Sequence, residues 1–211
     1  MPHLVTQSPP SRSGPAWDIA RLYPDQGQWS EAEYLSLNTN HLVEFSDGYV
    51  EVLPMPTMSH QLIVQYLSNL LLAFVTRGSL GRVLFAPMRM RLRSKRYREP
   101  DIMFMLAEHA DRMGQAYWQG ADLVMEVVSD ENRPHDLDVK RAEYAEAGIP
   151  EYWIVDPSQG RITVLKLADA AYVTHREAEN GGQVASSLLP GFTVDVGAML
   201  AAGKTGVADL R

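Results

Sequence analysis

The stretch DLVMEVVSD, residues 122–130, constrains the fold more than any other part of the chain. Leu123, Val124, Met125, Val127 and Val128 form an apolar run with a single carboxylate, Glu126, inside it. A short apolar run rich in valine reads as a buried strand. An ionised carboxylate buried without a partner costs on the order of several kcal/mol or more. The strand therefore calls for something to pair with Glu126: a cationic side chain, a metal ion, or a proton held by a shifted pKa.

On either side of this strand the periodicity alternates between helix and strand. SEAEYLSL carries a Ser-x-x-Glu helix start, with Ser30 as cap and Glu33 reaching back. HLVEFSDGYVEVLP is two short alternating runs about Asp47-Gly48, a hairpin signal. SHQLIVQYLSNLLLAFVTRG places Leu62, Ile63, Tyr66, Leu67, Leu70, Leu71 and Phe74 on one helical face and stops at Gly78. Met88, Met90 and Leu92 then alternate with Arg89, Arg91 and Arg93, as on a strand with one buried face and one wet, basic face. PDIMFML and EYWIVDP read as further strands, with GRITVLKL pairing behind the second. RPHDLDVKRAEYAEAG reads as a helix ending at Gly148, and a last short helix is predicted near Val196 to Leu200. This order predicts an α/β class with a mixed sheet.

At 211 residues with 45% hydrophobic composition, the chain suits one core over residues 17–205. Residues 1–16 read as a disordered arm and 206–211 as a tail. The chain has no cysteine, which removes disulfides and thiolate zinc sites. The sequence shows no signal-peptide pattern and no unbroken apolar run of about 18 residues, so a cytoplasmic protein without a membrane role is expected.

The net charge of −7 conceals a concentration of positive charge. PMRMRLRSKRYREPD packs Arg89, Arg91, Arg93, Lys95, Arg96 and Arg98 together, six of the 19 basic residues. Arg89, Arg91, Arg93, Lys95 and Arg98 are the candidate contacts to a nucleic-acid backbone. The same residues also suit a wet edge that discourages aggregation.

Two acidic residues fall at comparable places on two predicted strands, Asp101 directly after Pro100 and Glu126 in its apolar run. Adjacent strands lie about 4.8 Å apart, which lets two carboxylates share one divalent ion. Downstream, Asp136, Lys140 and Tyr144 are spaced four residues apart along one helical face. If that face packs toward Glu126, Lys140 brings an ammonium group that can orient a water and stabilise charge on a phosphate. His60 at a helix start reads as a cap or core residue. His135 and Arg133 suit either phosphate contact or solvent.

REPD followed by DLVMEVVSDENRPHDLDVKRAEYAEAGIPEYWIVDP resembles the putative restriction endonuclease family of the PD-(D/E)XK nuclease superfamily. The resemblance extends over VEFSDGYVEVLPMPTMSHQLIVQYLSNLL and LPGFTVDV, about Trp29 to Leu200. It implies a restriction-endonuclease-like core, a mixed β-sheet flanked by α-helices, that binds Mg²⁺ or Mn²⁺ and cuts DNA. Asp101 and Glu126 would be the motif acids and metal ligands, joined by the Val127 carbonyl. Val128 stands where the motif lysine is expected, and Lys140 takes that role from the following helix. Glu44 matches an upstream acidic position that would complete the metal shell. Cutting both strands at once implies a homodimer. Two rivals stand beside this reading: a catalytically inactive DNA-binding protein of the same fold, and a two-carboxylate glycoside hydrolase.

Overall fold

The computed structural model describes residues 23–39, 41–129, 133 and 135–204. The expected arm over 1–16 and tail over 206–211 lie outside the described residues.

Local chemistry sets the first elements. Helix α1 (Glu31–Ser36) opens with the capping box, each of Ser30 and Glu33 accepting the other's backbone N–H with its side chain. Strands β1 (Val43–Ser46) and β2 (Tyr49–Val52) pair about Asp47 and Gly48. Both turn residues have positive φ, 48° and 95°, as a twist-compatible two-residue turn requires. Helix α2 (Met58–Gly78) starts at Thr57, whose hydroxyl accepts the His60 N–H, and ends at Ser79 in the left-handed region. Its buried stripe is Ile63, Val64, Leu67, Ser68, Leu71 and Val75. Leu62, Tyr66, Leu70 and Phe74, expected within the stripe, are half-buried at its edge. The apolar sector is wider than one stripe, so packing against the sheet chooses which part is covered. This helix has the length and apolarity to cross a membrane, and here its stripe lies in the protein core.

The arginine-rich segment is not one strand. It folds as a hairpin of β4 (Met90–Arg93) and β5 (Arg96–Arg98), with Lys95 at positive φ in the turn. Ser94-Lys95 carries no glycine or asparagine, so the turn leaves no signature in the sequence.

The remaining strands are β3 (Gly81–Phe85), β6 (Ile102–Leu106), β7 (Trp118–Gln119), β8 (Leu123–Val127), β9 (Glu151–Asp156), β10 (Arg161–Ala168), β11 (Ala171–Glu179), β12 (Gln183–Ala185) and β13 (Thr193–Asp195). Helix α3 (Lys140–Glu146) follows a π-helical turn at His135–Val139, and α4 (Val196–Lys204) comes last. The main sheet has the order β11-β10-β9-β8-β6-β3, and only its β8–β9 pair is parallel. The mixed sheet and α/β class are as expected. A second sheet, β2-β1-β5-β4-β7, and the two-stranded β12-β13 accompany it.

Alternation along β8 divides two cores. Leu123, Met125 and Val127 pack with α2 and α4, while Val124 and Val128 pack on the other face with Tyr144 of α3. Glu126 shares the parity of Val124 and Val128, so it faces α3. The chain passes from β5 in the second sheet to β6 in the main one through Glu99-Pro100-Asp101, which sets the site between the two sheets.

Candidate active site

Strands β6 and β8 pair antiparallel with Ile102 opposite Met125. Carried one residue further, that register sets Asp101 opposite Glu126. Asp101 Oδ2 accepts the Val127 N–H at 2.8 Å, so the strand end itself holds the carboxylate. Asp101, Glu126, Val127, Lys140 and His60 line one cavity of about 520 Å³.

Glu126 has its partners, and they come from α3. Lys140 Nζ lies 3.1 Å from Glu126 Oε1, and the Tyr144 hydroxyl donates to the same oxygen at 2.6 Å. The two residues are four apart on one helical face, so one element delivers both. Burial, followed by the charges of Glu126 and Glu44, raises the Tyr144 phenol well above its ordinary pKa, which keeps it a donor. Val128, two residues after Glu126, packs in the core on the same face of β8.

Glu44 sits on β1 in the second sheet, fully buried, with Oε1 3.7 Å from Lys140 Nζ and Oε2 3.4 Å from Arg98 Nε. It backs Lys140 and is not among the residues lining the cavity. Arg98 in turn donates from Nε and Nη2 to the two oxygens of Glu143, at 2.8 and 2.7 Å. A buried chain of alternating charge thus runs from Glu126 through Lys140, Glu44 and Arg98 to Glu143.

Sequence reasoning set His60 aside, yet its Nε2 lies 3.2 Å from Asp101 Oδ2 and 3.1 Å from the Val127 carbonyl oxygen. Burial lowers the pKa of this imidazole. The hydrogen bond and charge of Asp101, the Val127 carbonyl and Glu126 outweigh that effect and leave it raised above its ordinary value. A histidine in the first turn of a helix after a proline pair was the only available signal, and nothing in the spacing pointed from residue 60 to residue 101. Tyr144 was legible only as a neighbour of Lys140 on the helix.

The arginines take different places from those expected. Arg91 pairs with Glu31 at 3.4 Å, Arg93 with Asp47 at 2.9 Å, and Arg89 with Glu99 at 3.6 Å. Arg98 is buried in the chain just described. Lys95 is exposed at the hairpin turn. None of these five lines the cavity. Asp136 was predicted on the Lys140 face, and its side chain lies outside the described residues.

The donors that Asp101, Glu126 and the Val127 carbonyl offer are all oxygens, the chemistry that Mg²⁺ and Mn²⁺ take. Asp101 Oδ2 and the Val127 oxygen already converge on one point, the His60 Nε2. Among the described residues no three His, Cys, Asp or Glu side chains form a ready cage. Mg²⁺ sites commonly use one or two carboxylates and retain waters, so the residues fit such an ion.

Residues 29–197 match the family described as Uma2, putative restriction endonuclease. No curated protein matches the chain. Among solved structures, the chain is similar to one described as a putative nuclease belonging to DUF820 from Anabaena variabilis. The TM-score is 0.69, with 83% of this chain and 99% of that chain covered at 16% sequence identity. At that identity the likeness shows a shared fold.

Proposed function

The chain belongs to the Uma2 family of putative restriction endonucleases, and from that premise we propose that it is a metal-dependent endonuclease hydrolysing DNA phosphodiester bonds. The observation that carries the reading is the meeting of Lys140 with Glu126 at 3.1 Å, across the sheet register that sets Asp101 opposite. Family membership supports the activity class, and the geometry supports the roles.

Asp101, Glu126 and the Val127 carbonyl would hold Mg²⁺ or Mn²⁺. Such an ion, when bound, lowers the pKa of a water and neutralises charge on the phosphate. The rest falls to the chain itself. Lys140, fixed between Glu126 and Glu44, presents its ammonium group to the cavity, where it orients the attacking water or stabilises a phosphate oxygen. Tyr144 fixes the Glu126 carboxylate through Oε1. His60 ties the Asp101 carboxylate to the end of β8. Two copies are needed to cut both strands in one encounter, so a homodimer is part of the proposal.

The test is plasmid nicking by wild type in Mg²⁺ or Mn²⁺ at low salt, beside EDTA, Glu126→Ala and Lys140→Ala. Cleavage that chelator and each substitution abolish supports the reading. Absence of cleavage in any metal, with DNA still shifted by wild type and both variants, replaces it with a non-catalytic DNA-binding protein. Cleavage that survives in Glu126→Ala moves the site elsewhere.

A further inference from the structure

The cavity that holds the carboxylates has a polar floor and an apolar lip. Met55, after β2, is 75% exposed and Phe85, at the end of β3, is 59% exposed, and both line it. Val52 and Met58, at 60% and 63% exposure, lie beside lining residues in the sequence. Large apolar side chains grouped in the open mark a contact surface.

Two observations limit what can cover this lip. It is continuous with the floor formed by Asp101, Glu126 and Lys140, so one ligand spans both. The arginines of the β4–β5 hairpin are turned to Glu31, Asp47, Glu99 and Glu143 and do not line the cavity, and among its described lining residues Lys140 is the one lysine or arginine. Duplex DNA offers mainly charged backbone and keeps its base faces stacked inside, so proteins hold it through several phosphate contacts. A single strand offers a phosphate and an open base face from the same nucleotide, and aromatic side chains bind such faces without regard to sequence.

Resting on the nuclease reading above, we infer that the ligand of this site is a single-stranded DNA segment. Its bases lie against Phe85 and Met55, and the phosphate between them reaches Lys140. The lip thereby selects flaps, bubbles or free ends over intact duplex.

The experiment is fluorescence anisotropy in chelator at low salt, with a labelled single strand, the same sequence as duplex, and a duplex bearing a single-stranded flap. Wild type is compared with the double variant Phe85→Ala, Met55→Ala, whose truncated side chains are more than half exposed and carry no core packing. Wild type is expected to bind the single strand and the flap at least about tenfold more tightly than duplex. The double variant is expected to lose about tenfold or more of that affinity, the scale of one lost base stack, with duplex binding unchanged. Equal or tighter binding of duplex overturns the inference, as does single-strand affinity that the double variant retains. A dimer seen by sedimentation in wild type and lost in the double variant also overturns it, because the lip is then a subunit contact. Binding is read without divalent metal, so it stands apart from catalysis. Failure to cleave either the plasmid or the labelled single strand in Mg²⁺ or Mn²⁺ removes the nuclease reading, and failure of strand preference alone removes this one.

Discussion

Glu126 resolves its buried charge with two donors on one oxygen, the ammonium group of Lys140 and the phenol of Tyr144. A hydrogen bond from a buried hydroxyl to a charged acceptor contributes roughly 1.5–3 kcal/mol. Tyr144→Phe keeps the ring packed on Tyr152 and removes only that donor. It is expected to lose about that much stability in urea unfolding. Lys140 carries more. Removing it as Lys140→Met takes away the cation that Glu126 and Glu44 share, and breaking a buried pair by one partner costs about 3–5 kcal/mol. Loss of nicking in a Lys140 variant is therefore to be read beside its circular dichroism, and a folded, inactive protein assigns the loss to chemistry. One helix, α3, brings both Lys140 and Tyr144 to Glu126.

At the scale of elements, two hairpins of the second sheet carry the acidic and basic residues that meet behind the site. Asp47 lies in the β1–β2 turn and receives Arg93 and Arg96 from the β4–β5 hairpin. Hydrogen bonds from Arg93 and Arg96, acting against slight burial, lower its carboxyl from 3.8 to about 2. A depressed acid contributes stability above its unfolded pKa and loses that contribution as pH falls through the folded one. The stability difference between wild type and Asp47→Asn is thus expected to be constant above about pH 5 and to vanish between pH 3.8 and about 2, read from urea melts at each pH. The pair is exposed, so the difference is small, about 1 kcal/mol or less. Gly48 in the same turn has φ +95°, and a Cβ there would lie 2.6 Å from the Gly27 carbonyl oxygen. The Gly48 carbonyl also accepts the N–H groups of Gly27 and Trp29. Gly48→Ala is expected to destabilise by about 1–3 kcal/mol, seen as a lower Tm, by pushing the N-terminal segment off the hairpin.

For the whole molecule, the cluster of six basic residues inside a chain of net charge −7 reads as a nucleic-acid footprint until its partners are known. In three dimensions Arg89, Arg91, Arg93, Arg96 and Arg98 each meet an acidic side chain of the same protein. Five of the six cations of this cluster are thus already neutralised within the protein. The dependence of duplex affinity on salt is therefore expected to be shallow, equivalent to fewer than about three phosphate contacts between about 50 and 200 mM salt. A slope equivalent to six or more contacts would mean that the arginines leave their partners on binding.

Elements with short-range causes were legible in the sequence. The Ser30 capping box, the Asp47-Gly48 hairpin, the end of α2 at Gly78 and the buried strand around Glu126 each depend on residues within a few positions of one another. So did the pairing of Asp101 with Glu126, because two predicted strands of fixed spacing allow few registers. Tertiary packing decided the rest. The Ser94-Lys95 turn splits what periodicity reads as one strand, since alternation continues through a tight turn that carries no glycine. His60 meets Asp101 across 41 positions, and Glu44 meets Lys140 from a different sheet. Sequence pattern records the period of each element and which residues it buries. Which charged groups finally neutralise one another depends on how those elements pack, and no local pattern carries that.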